Sequence, residues 1–452
     1  MKVYLETFGC QMNEYDSELI RSILLSHHHE FTNGLANAEA VLLNTCAIRE
    51  NAHQKIYHRL DELRGLKKRG RRIIVGVLGC MAQNLRHELA ERAPVVDLIA
   101  GPDSYKRLPQ LIAAVAETGT RGFDFSLSEF ETYSDIAPRR VPGVNAWIAV
   151  MRGCDNFCTF CVVPYTRGRE RSRAPDNIVN EVHRIVAEGF RQVTLLGQNV
   201  NSYRHEQGDF ADLMQRVAQV PGIRRVRFTS PHPKDFPRKL LRVMAENDQL
   251  CKHIHLPLQA GSDRVLERMN RTYTRQEFLD LVDEIRGLLP AVSLTTDIIA
   301  GFCGETDEDF AETIDVLQRV QFDSAFIFKY SERKHTIAAR QYRDEVPEAV
   351  KAQRVVLLNE TQREISLQRN RLEIGSVVEV LVEEPSKKNS REWLGHTDEN
   401  KGVVFQDAAV RPGDFVMVRI AGAGTNTLIG VPEVRALRTL DLAPSRVAPI
   451  GA

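Results

Sequence analysis

Three cysteines stand close together in the stretch RGCDNFCTFC, at Cys154, Cys158 and Cys161, with the spacing C-x-x-x-C-x-x-C. A structural zinc site takes four ligands, commonly from paired C-x-x-C units, and disulfides take cysteines in twos. Three thiolates suit another group. Iron–sulfur clusters are held by cysteine, and a four-iron cubane gripped by three cysteines keeps one iron open to a small molecule. A zinc knuckle whose fourth ligand lies elsewhere is the competing reading.

Three more cysteines, Cys10, Cys46 and Cys80, lie far apart in sequence but in equivalent places. Each closes a strand-like segment (KVYLETFG, AVLLNT, RIIVGVLG), and a helix-like segment starts just after it. The carboxyl ends of parallel strands line one crevice, so the three thiols are expected to converge into a second site with one open position. A helix N-terminus lowers a thiol pKa, which favours thiolate. Cys251 and Cys303 have no such context and are expected to be structural.

The elements that must carry these sites follow from the periodicity. Over residues 1–120, strand and helix patterns alternate, which predicts a parallel sheet with helices on its faces. Residues 121–145 lack a sustained period and read as a linker. Alternation resumes in 146–372, where WIAVMR, QVTLLG, RRVRFTS, HIHLPLQ, SLTTDIIAG and SAFIFKY are the strand candidates. Six βα units predict a partial (β/α)6 barrel of TIM type, with chemistry at the strand carboxyl ends. Cys154, Cys158 and Cys161 follow the first of these strands. A long helix is expected after Pro347, ending at Gly375. Residues 373–437 carry short strands between turns, as in a small antiparallel β-barrel, and 438–452 read as a tail. The fold class expected is α/β with this small β-barrel appended.

The chain has 452 residues, with 60 Lys plus Arg against 60 Asp plus Glu, so only local charge can speak for a nucleic-acid partner. No apolar run approaches the ~18–20 residues of a membrane helix, and the N-terminus lacks the pattern of a signal peptide. A cytoplasmic protein with no membrane association is expected, its eight cysteines serving metal or redox chemistry.

The cysteine loop, with Phe160 just before its last cysteine, resembles the radical S-adenosylmethionine (SAM) superfamily. TFGCQMN, LNTCAIRENA, GVLGCMAQ, RGCDNFCTFCVVPYTRGRERSR, LLGQNVNSY, LPLQAGSDRVLERMNRTYT and TTDIIAGFCGET resemble the methylthiotransferase family within it, and VLVEEPSKKN resembles that family's terminal TRAM domain. The resemblance spans nearly the whole chain. It implies two [4Fe-4S] clusters, a radical-SAM cluster on Cys154, Cys158 and Cys161 and an auxiliary one on Cys10, Cys46 and Cys80, and two molecules of SAM per turnover. One SAM would methylate a sulfur atom and the second would supply a radical against an unactivated C–H bond. Gly197, Gln198 and Asn199, and Thr296, Asp297 and Gly301, would face SAM; turn chemistry is the competing reading for each.

CAIRENA and VVPYTRGRERSR favour the isopentenyl-adenosine branch of the family. Its substrate is an anticodon stem-loop whose adenosine 3′ of the anticodon carries an N6-dimethylallyl group (i6A). Threonylcarbamoyladenosine in tRNA, or an aspartate of a ribosomal protein, are alternatives with the same chemistry; a non-catalytic iron–sulfur RNA-binding protein is an alternative of another class. The resemblance also implies a flavodoxin- or ferredoxin-type electron donor and a sulfur or cluster donor, and a monomer is expected.

Seven arginines against two acids lie between Arg139 and Arg173, so Arg167, Arg169, Arg171 and Arg173 are expected to meet RNA phosphates around the cluster loop. A second basic run is LRGLKKRGRR, 63–72. In the terminal barrel Lys387, Lys388 and Arg391 are the basic group available for RNA. One departure from the family pattern occurs near the last barrel strand. Tyr-Ser-x-Arg-Pro-Gly-Thr is replaced by Tyr330, Ser331, Glu332, Arg333, Lys334, His335 and Thr336, which is expected to loosen this loop.

Overall fold

The computed structural model describes residues 1–47, 50–407 and 409–437. The expected tail 438–452 and two residues of the LNTCAIRENA motif, Ile48 and Arg49, lie outside the described residues. Two compact units divide the chain, Met1–Gln362 and the segment from Arg363 onward. The N-terminal sheet and the half-barrel therefore belong to one body.

The N-terminal sheet is built from β1 (Lys2–Phe8), α1 (Gln11–Ser26), β2 (Glu30–Phe31), β3 (Ala40–Thr45), α2 (Glu50–Lys68), β4 (Ile74–Gly79), α3 (Cys80–Leu85), α4 (His87–Arg92), β5 (Leu98–Ala100), α5 (Leu108–Thr118) and β6 (Gly122–Asp124). Its six strands run parallel in the order β2-β1-β3-β4-β5-β6. Residues of β3 are buried on both faces, as a central parallel strand requires. The segment expected to be a linker is packed instead. It supplies β6, and Tyr133 within it is fully buried, donating from its hydroxyl to the Pro102 carbonyl at 2.9 Å.

The second half of this unit runs through β7 (Asn145–Ala149), β8 (Met151–Arg152), α6 (Val163–Arg167), β9 (Arg171–Ser172), α7 (Pro175–Ala187), β10 (Gln192–Leu196), β11 (Arg204–His205), β12 (Gly208–Asp209), α8 (Phe210–Ala218), β13 (Arg225–Phe228), α9 (Arg238–Glu246), β14 (His253–His255), α10 (Asp263–Arg268), α11 (Arg275–Leu288), β15 (Ser293–Ala300), α12 (Asp307–Val320), β16 (Ser324–Lys329), α13 (Ile337–Gln341) and α14 (Glu348–Arg371). All six expected barrel strands form. They pair in parallel as β7-β10-β13 and β14-β15-β16, and one parallel bridge, Val226 to Leu250, links the two groups into a half-barrel.

The second unit is a closed barrel in the order β17-β18-β19-β21-β20, from β17 (Val377–Pro385), β18 (Trp393–His396), β19 (Gly402–Phe405), β20 (Phe415–Ala423) and β21 (Leu428–Leu437). Closure leaves no exposed sheet edge. The barrel is not wholly antiparallel: β19 and β21 pair in parallel. Its core packs Val380, Val382, Val403, Phe405, Val416 and Val418.

Candidate functional site

β1, β3 and β4 are neighbours, and Phe8, Thr45 and Gly79 stand side by side at their carboxyl ends. The next residues along each chain segment bring Cys10, Cys46 and Cys80 to one edge, and the Cys46 amide donates to the Phe8 carbonyl at 3.0 Å. The Cys10 thiol is lowered to about 6, first by a hydrogen bond from Cys46, which with Arg167 outweighs the opposing effect of burial. Burial raises the Cys80 thiol in spite of Arg167, against the lowering expected at a helix N-terminus. Beneath Cys10, the Asn13 amide donates to the Asn44 side chain and the Thr45 carbonyl, both at 3.2 Å, and Asn44 donates to Ser17 Oγ at 2.9 Å. Gly79 has φ +90°, and a Cβ there would lie 2.6 Å from the Thr45 carbonyl oxygen. The asparagines and the glycine of TFGCQMN, LNTC and VLGC are thus the frame of the thiols.

A buried ionic cluster adjoins this edge. Arg167, the last residue of α6, donates from Nε to Cys80 Sγ at 3.2 Å and from Nη2 to Asp16 at 2.8 Å. The other oxygen of Asp16 accepts from Arg152 at 2.6 Å, and the Tyr105 hydroxyl donates to Asp16 at 3.3 Å. Burial would raise the Asp16 carboxyl, but Arg152 and Arg167 outweigh it and hold the group below its ordinary range. Sequence reasoning passed over Asp16 and Arg152. The available signal was a carboxylate on the apolar face of α1, whose buried residues include Met12, Tyr15, Leu19, Ile20 and Ile23.

These contacts correct the expectation of an arginine-lined RNA mouth. Arg167, Arg171 and Arg173 are buried. Arg171 pairs with Asp103 at 2.7 Å, and Arg173 with Glu181 at 2.7 Å and with the Tyr15 hydroxyl at 3.0 Å. A buried guanidinium must be paired, and these find their acids on other elements rather than on phosphate. Arg169 alone of the four is exposed, 3.3 Å from Asp155 and over the Phe157 ring. The 63–72 run is also engaged in part: Lys67 binds Asp97, and Arg71 donates to the carbonyls of Leu35, Ala36 and Ala38.

The second cysteine trio follows β8. Gly153 has φ +82°, and a Cβ would fall 1.9 Å from the Arg169 carbonyl oxygen, so only glycine fits. Its amide donates to Gln198 Oε1 at 2.6 Å. A second segment clamps the loop: Thr159 donates from its amide to the Met269 carbonyl at 2.9 Å, Asn270 donates to the Asn156 and Phe157 carbonyls at 3.0 and 3.2 Å, and Arg271 donates to Cys158 Sγ at 3.4 Å. This explains the motif MNRTYT, whose Asn270 and Arg271 sequence reasoning had left without a role. Burial pushes the Cys154 and Cys161 thiols up to about 12, so as free thiols they would hold their protons until a metal displaces them.

Each trio therefore offers only sulfur donors, with one buried arginine donating to one sulfur. Among the described residues, no three His, Cys, Asp or Glu side chains gather closely enough to hold a single metal ion. Three thiols shared among separate irons fit the donor set of a cluster. Cys251 and Cys303 are buried in the core.

The half-barrel has a helix-covered face and an inner face. On β15, Thr296, Ile298 and Ala300 are fully buried on the covered side. Thr296 accepts from the Leu258 amide at 2.9 Å and donates to the Leu256 carbonyl at 2.8 Å, so its expected place facing SAM is corrected to a clamp on the 256–258 turn. The alternate residues Asp297 and Ile299 face inward, beside Phe326 and Phe328 of β16. Phe326 and Phe328 remain 52% and 43% exposed, and the His255 ring lies 3.3 Å from Asp297 and edge-on to Phe326. Gly197 packs on Met151, Asn199 is held by Glu170 at 3.3 Å, Gly301 takes φ +75°, and Phe160 meets Phe302 edge to face. In the departing loop Lys334 pairs with Glu88 at 2.8 Å, and His335 takes φ +70°. In the second unit Lys387, Lys388 and Arg391 are exposed together between β17 and β18.

Three family models match the chain: the radical SAM superfamily over residues 148–317, an uncharacterized protein family, UPF0004, over 2–101, and the TRAM domain over 371–432. A protein of Chloroherpeton thalassium named tRNA-2-methylthio-N(6)-dimethylallyladenosine synthase is 48% identical, covering 95% of each chain. Proteins of that name from Porphyromonas gingivalis and Bacteroides fragilis are 46% and 47% identical over 95% of this chain. Among solved structures, a radical SAM methyltransferase from Kitasatospora setae, TsrM, with cobalamin and a [4Fe-4S] cluster bound, superposes with a TM-score of 0.56 at 15% identity, covering 75% of this chain and 77% of that one. The cobalamin-dependent radical enzyme OxsB gives a TM-score of 0.53 over 80% and 56%. These two likenesses concern the fold alone.

Proposed function

The chain belongs to the family of tRNA-2-methylthio-N(6)-dimethylallyladenosine synthases, and from that premise we propose how its two cysteine trios divide the work. The protein is a radical SAM enzyme that converts N6-dimethylallyladenosine in tRNA to its 2-methylthio derivative. It uses SAM and iron–sulfur chemistry. Two clusters per chain are our reading, and the observation that carries it is the pair of cysteine trios in one compact unit, each with its own arginine on a sulfur.

Cys154, Cys158 and Cys161 would hold the cluster that meets SAM, and Cys10, Cys46 and Cys80 the auxiliary one. When bound, these groups supply the one-electron chemistry that an unactivated C2–H requires, together with the sulfur and methyl group that replace the hydrogen. The protein's own part is positional. Gln198 fixes the Gly153 amide, and Asn270 and Arg271 hold the carbonyls and a sulfur of the cluster loop, so that this loop is set before substrate arrives. The inner face of β15 and β16 offers Asp297 and His255 beside Ile299, Phe326 and Phe328, a polar edge next to an apolar one. That combination suits an adenine bearing a branched apolar N6 group, drawn out of the stem-loop. Lys387, Lys388 and Arg391, with Arg169, are the exposed cations offered to RNA. No described helix is long and apolar enough to cross a membrane. A flavodoxin- or ferredoxin-type donor and an external sulfur or cluster source complete the scheme.

The test is anaerobic reconstitution with SAM, a reductant and an anticodon stem-loop bearing i6A. Nucleoside mass spectrometry should register the methylthio gain, and Cys10→Ala and Cys154→Ala should each abolish it. A Cys10→Ala protein that still forms the methylthio product would refute the two-site reading. A parallel stem-loop bearing threonylcarbamoyladenosine should remain unchanged.

A further inference from the structure

We propose that Arg167 is the positioning residue of the auxiliary cysteine site: its guanidinium, fixed on Asp16, donates to the Cys80 sulfur and supplies the charge that sets how readily a cluster there accepts an electron. The inference rests on the reading that Cys10, Cys46 and Cys80 hold a cluster. Three observations carry it.

The first is geometry. Nε and Nη2 of Arg167 engage two different partners, Cys80 Sγ at 3.2 Å and Asp16 at 2.8 Å, so the carboxylate aims the donor at the sulfur. The second is charge balance. Asp16 is a single buried carboxylate facing two buried guanidiniums, Arg152 and Arg167. Adding the neighbouring Arg171–Asp103 pair contributes one charge of each sign and leaves the excess cation in place. An uncompensated buried cation is costly, and anionic sulfur at Cys80, 3.2 Å from Arg167 Nε, is the compensation within reach. The third is connectivity. Arg167 ends α6, which begins two residues after Cys161. One short segment thus holds the last sulfur of the radical site and the cation of the auxiliary site.

Hydrogen bonds to sulfur and net charge are the protein's means of setting a cluster's potential. The experiment uses the full chain with Cys154, Cys158 and Cys161 changed to Ala, so that only the auxiliary site can load. Iron content and an EPR-monitored redox titration are then compared for Arg167, Arg167→Gln, Arg167→Lys and Arg152→Gln. Loss of the cation in Arg167→Gln should make reduction at least tenfold less favourable, about 59 mV for one electron. Arg167→Lys should recover part of the shift, and Arg152→Gln, which removes an equal charge from Asp16 but touches no sulfur, should shift it far less.

An unchanged potential in Arg167→Gln overturns the proposal. Iron lost in Arg167→Gln but kept in Arg152→Gln supports it, since the donor then holds Cys80 for loading. Equal loss in both overturns it, because the role is then only to neutralise Asp16. If no iron loads with Arg167 intact, the two-cluster reading itself fails, and the inference with it.

Discussion

Asp16→Asn should be among the most damaging single-atom changes in the first unit. The carboxylate is fully buried and accepts from Arg152 at 2.6 Å and Arg167 at 2.8 Å. Asparagine keeps the shape, but its amide nitrogen must face one guanidinium, donor against donor, and the charge that both cations share is gone. Breaking a buried pair from one side costs about 3–5 kcal/mol. The 362-residue unit Met1–Gln362 gains ~0.76 kcal/mol/K of unfolding entropy at ~2.1 cal/mol/K per residue, so its melting temperature should fall by ~4–7 °C. Circular dichroism of the cluster-free protein at a fixed scan rate is the assay. Arg152→Met is the companion: it leaves one carboxylate with one guanidinium, and should cost about half as much, mainly one charged hydrogen bond and the contact of Arg152 over the Tyr133 ring. The double variant should cost less than the sum of the two. A melting temperature for Asp16→Asn within about 1 °C of the parent would refute the claim that this carboxylate carries both cations.

Gly153→Ala should break the radical-site loop, because its Cβ would lie 1.9 Å from a backbone oxygen; iron after reconstitution should drop from about eight to about four per chain, read by iron and sulfide analysis. Burial raises the Glu18 carboxyl to about 7 despite Arg140. The folded state thus holds this proton while the unfolded chain releases it near ~4.3, so stability is lost as pH rises from about 4.5 through 7. Glu18→Gln should therefore be the more stable protein at pH 8, by at most about 3 kcal/mol, with the difference gone below about pH 4.5 in matched thermal melts. His335 sits at φ +70°; His335→Gly should hold or gain up to about 1 kcal/mol, whereas His335→Val should lose about 1–2 kcal/mol, in denaturant titrations. Phe326→Ser should raise KM for the i6A stem-loop roughly tenfold, the loss of about 1.4 kcal/mol of apolar contact, while SAM affinity by calorimetry stays unchanged; an unaltered KM would remove Phe326 from the base site.

The alternation of strand and helix patterns located all six half-barrel strands, including β16, whose apolar residues stay largely exposed. Short edge elements left no such record. β2 and β6 have two and three residues, and β18 is half-buried, so none shows a period. The placing of Cys10, Cys46 and Cys80 at one edge was legible from position alone, since a residue that closes a parallel strand must lie at the crevice. The arginines were not. A run such as RGRERSR reads as a charged surface, and nothing local shows that Asp103 and Glu181, 68 and 8 residues away from their partners, reach in to neutralise it. Thr296 failed for a related reason: adjacent strand residues face opposite sides, and the motif TTD does not say which side is inward.

Burying that arginine run has a consequence for how the enzyme must meet RNA. Paired guanidiniums inside a protein are poor sources of stability, since desolvation offsets most of their attraction. Their presence at Arg152, Arg167 and Arg171 is better explained by what they hold than by what they stabilise: two carboxylates, a sulfur and the turn that closes the cluster loop. The same cations are then withdrawn from the phosphate backbone. With zero formal net charge over the whole chain, attraction of tRNA phosphates falls to exposed cations elsewhere, such as Arg169, Lys68, Arg69 and Arg72 of the second basic run, and the Lys387–Arg391 turn. On the proposed reading, the fit of the extruded, prenylated base against the inner face of β15 and β16 is where selectivity against unmodified adenosine would arise.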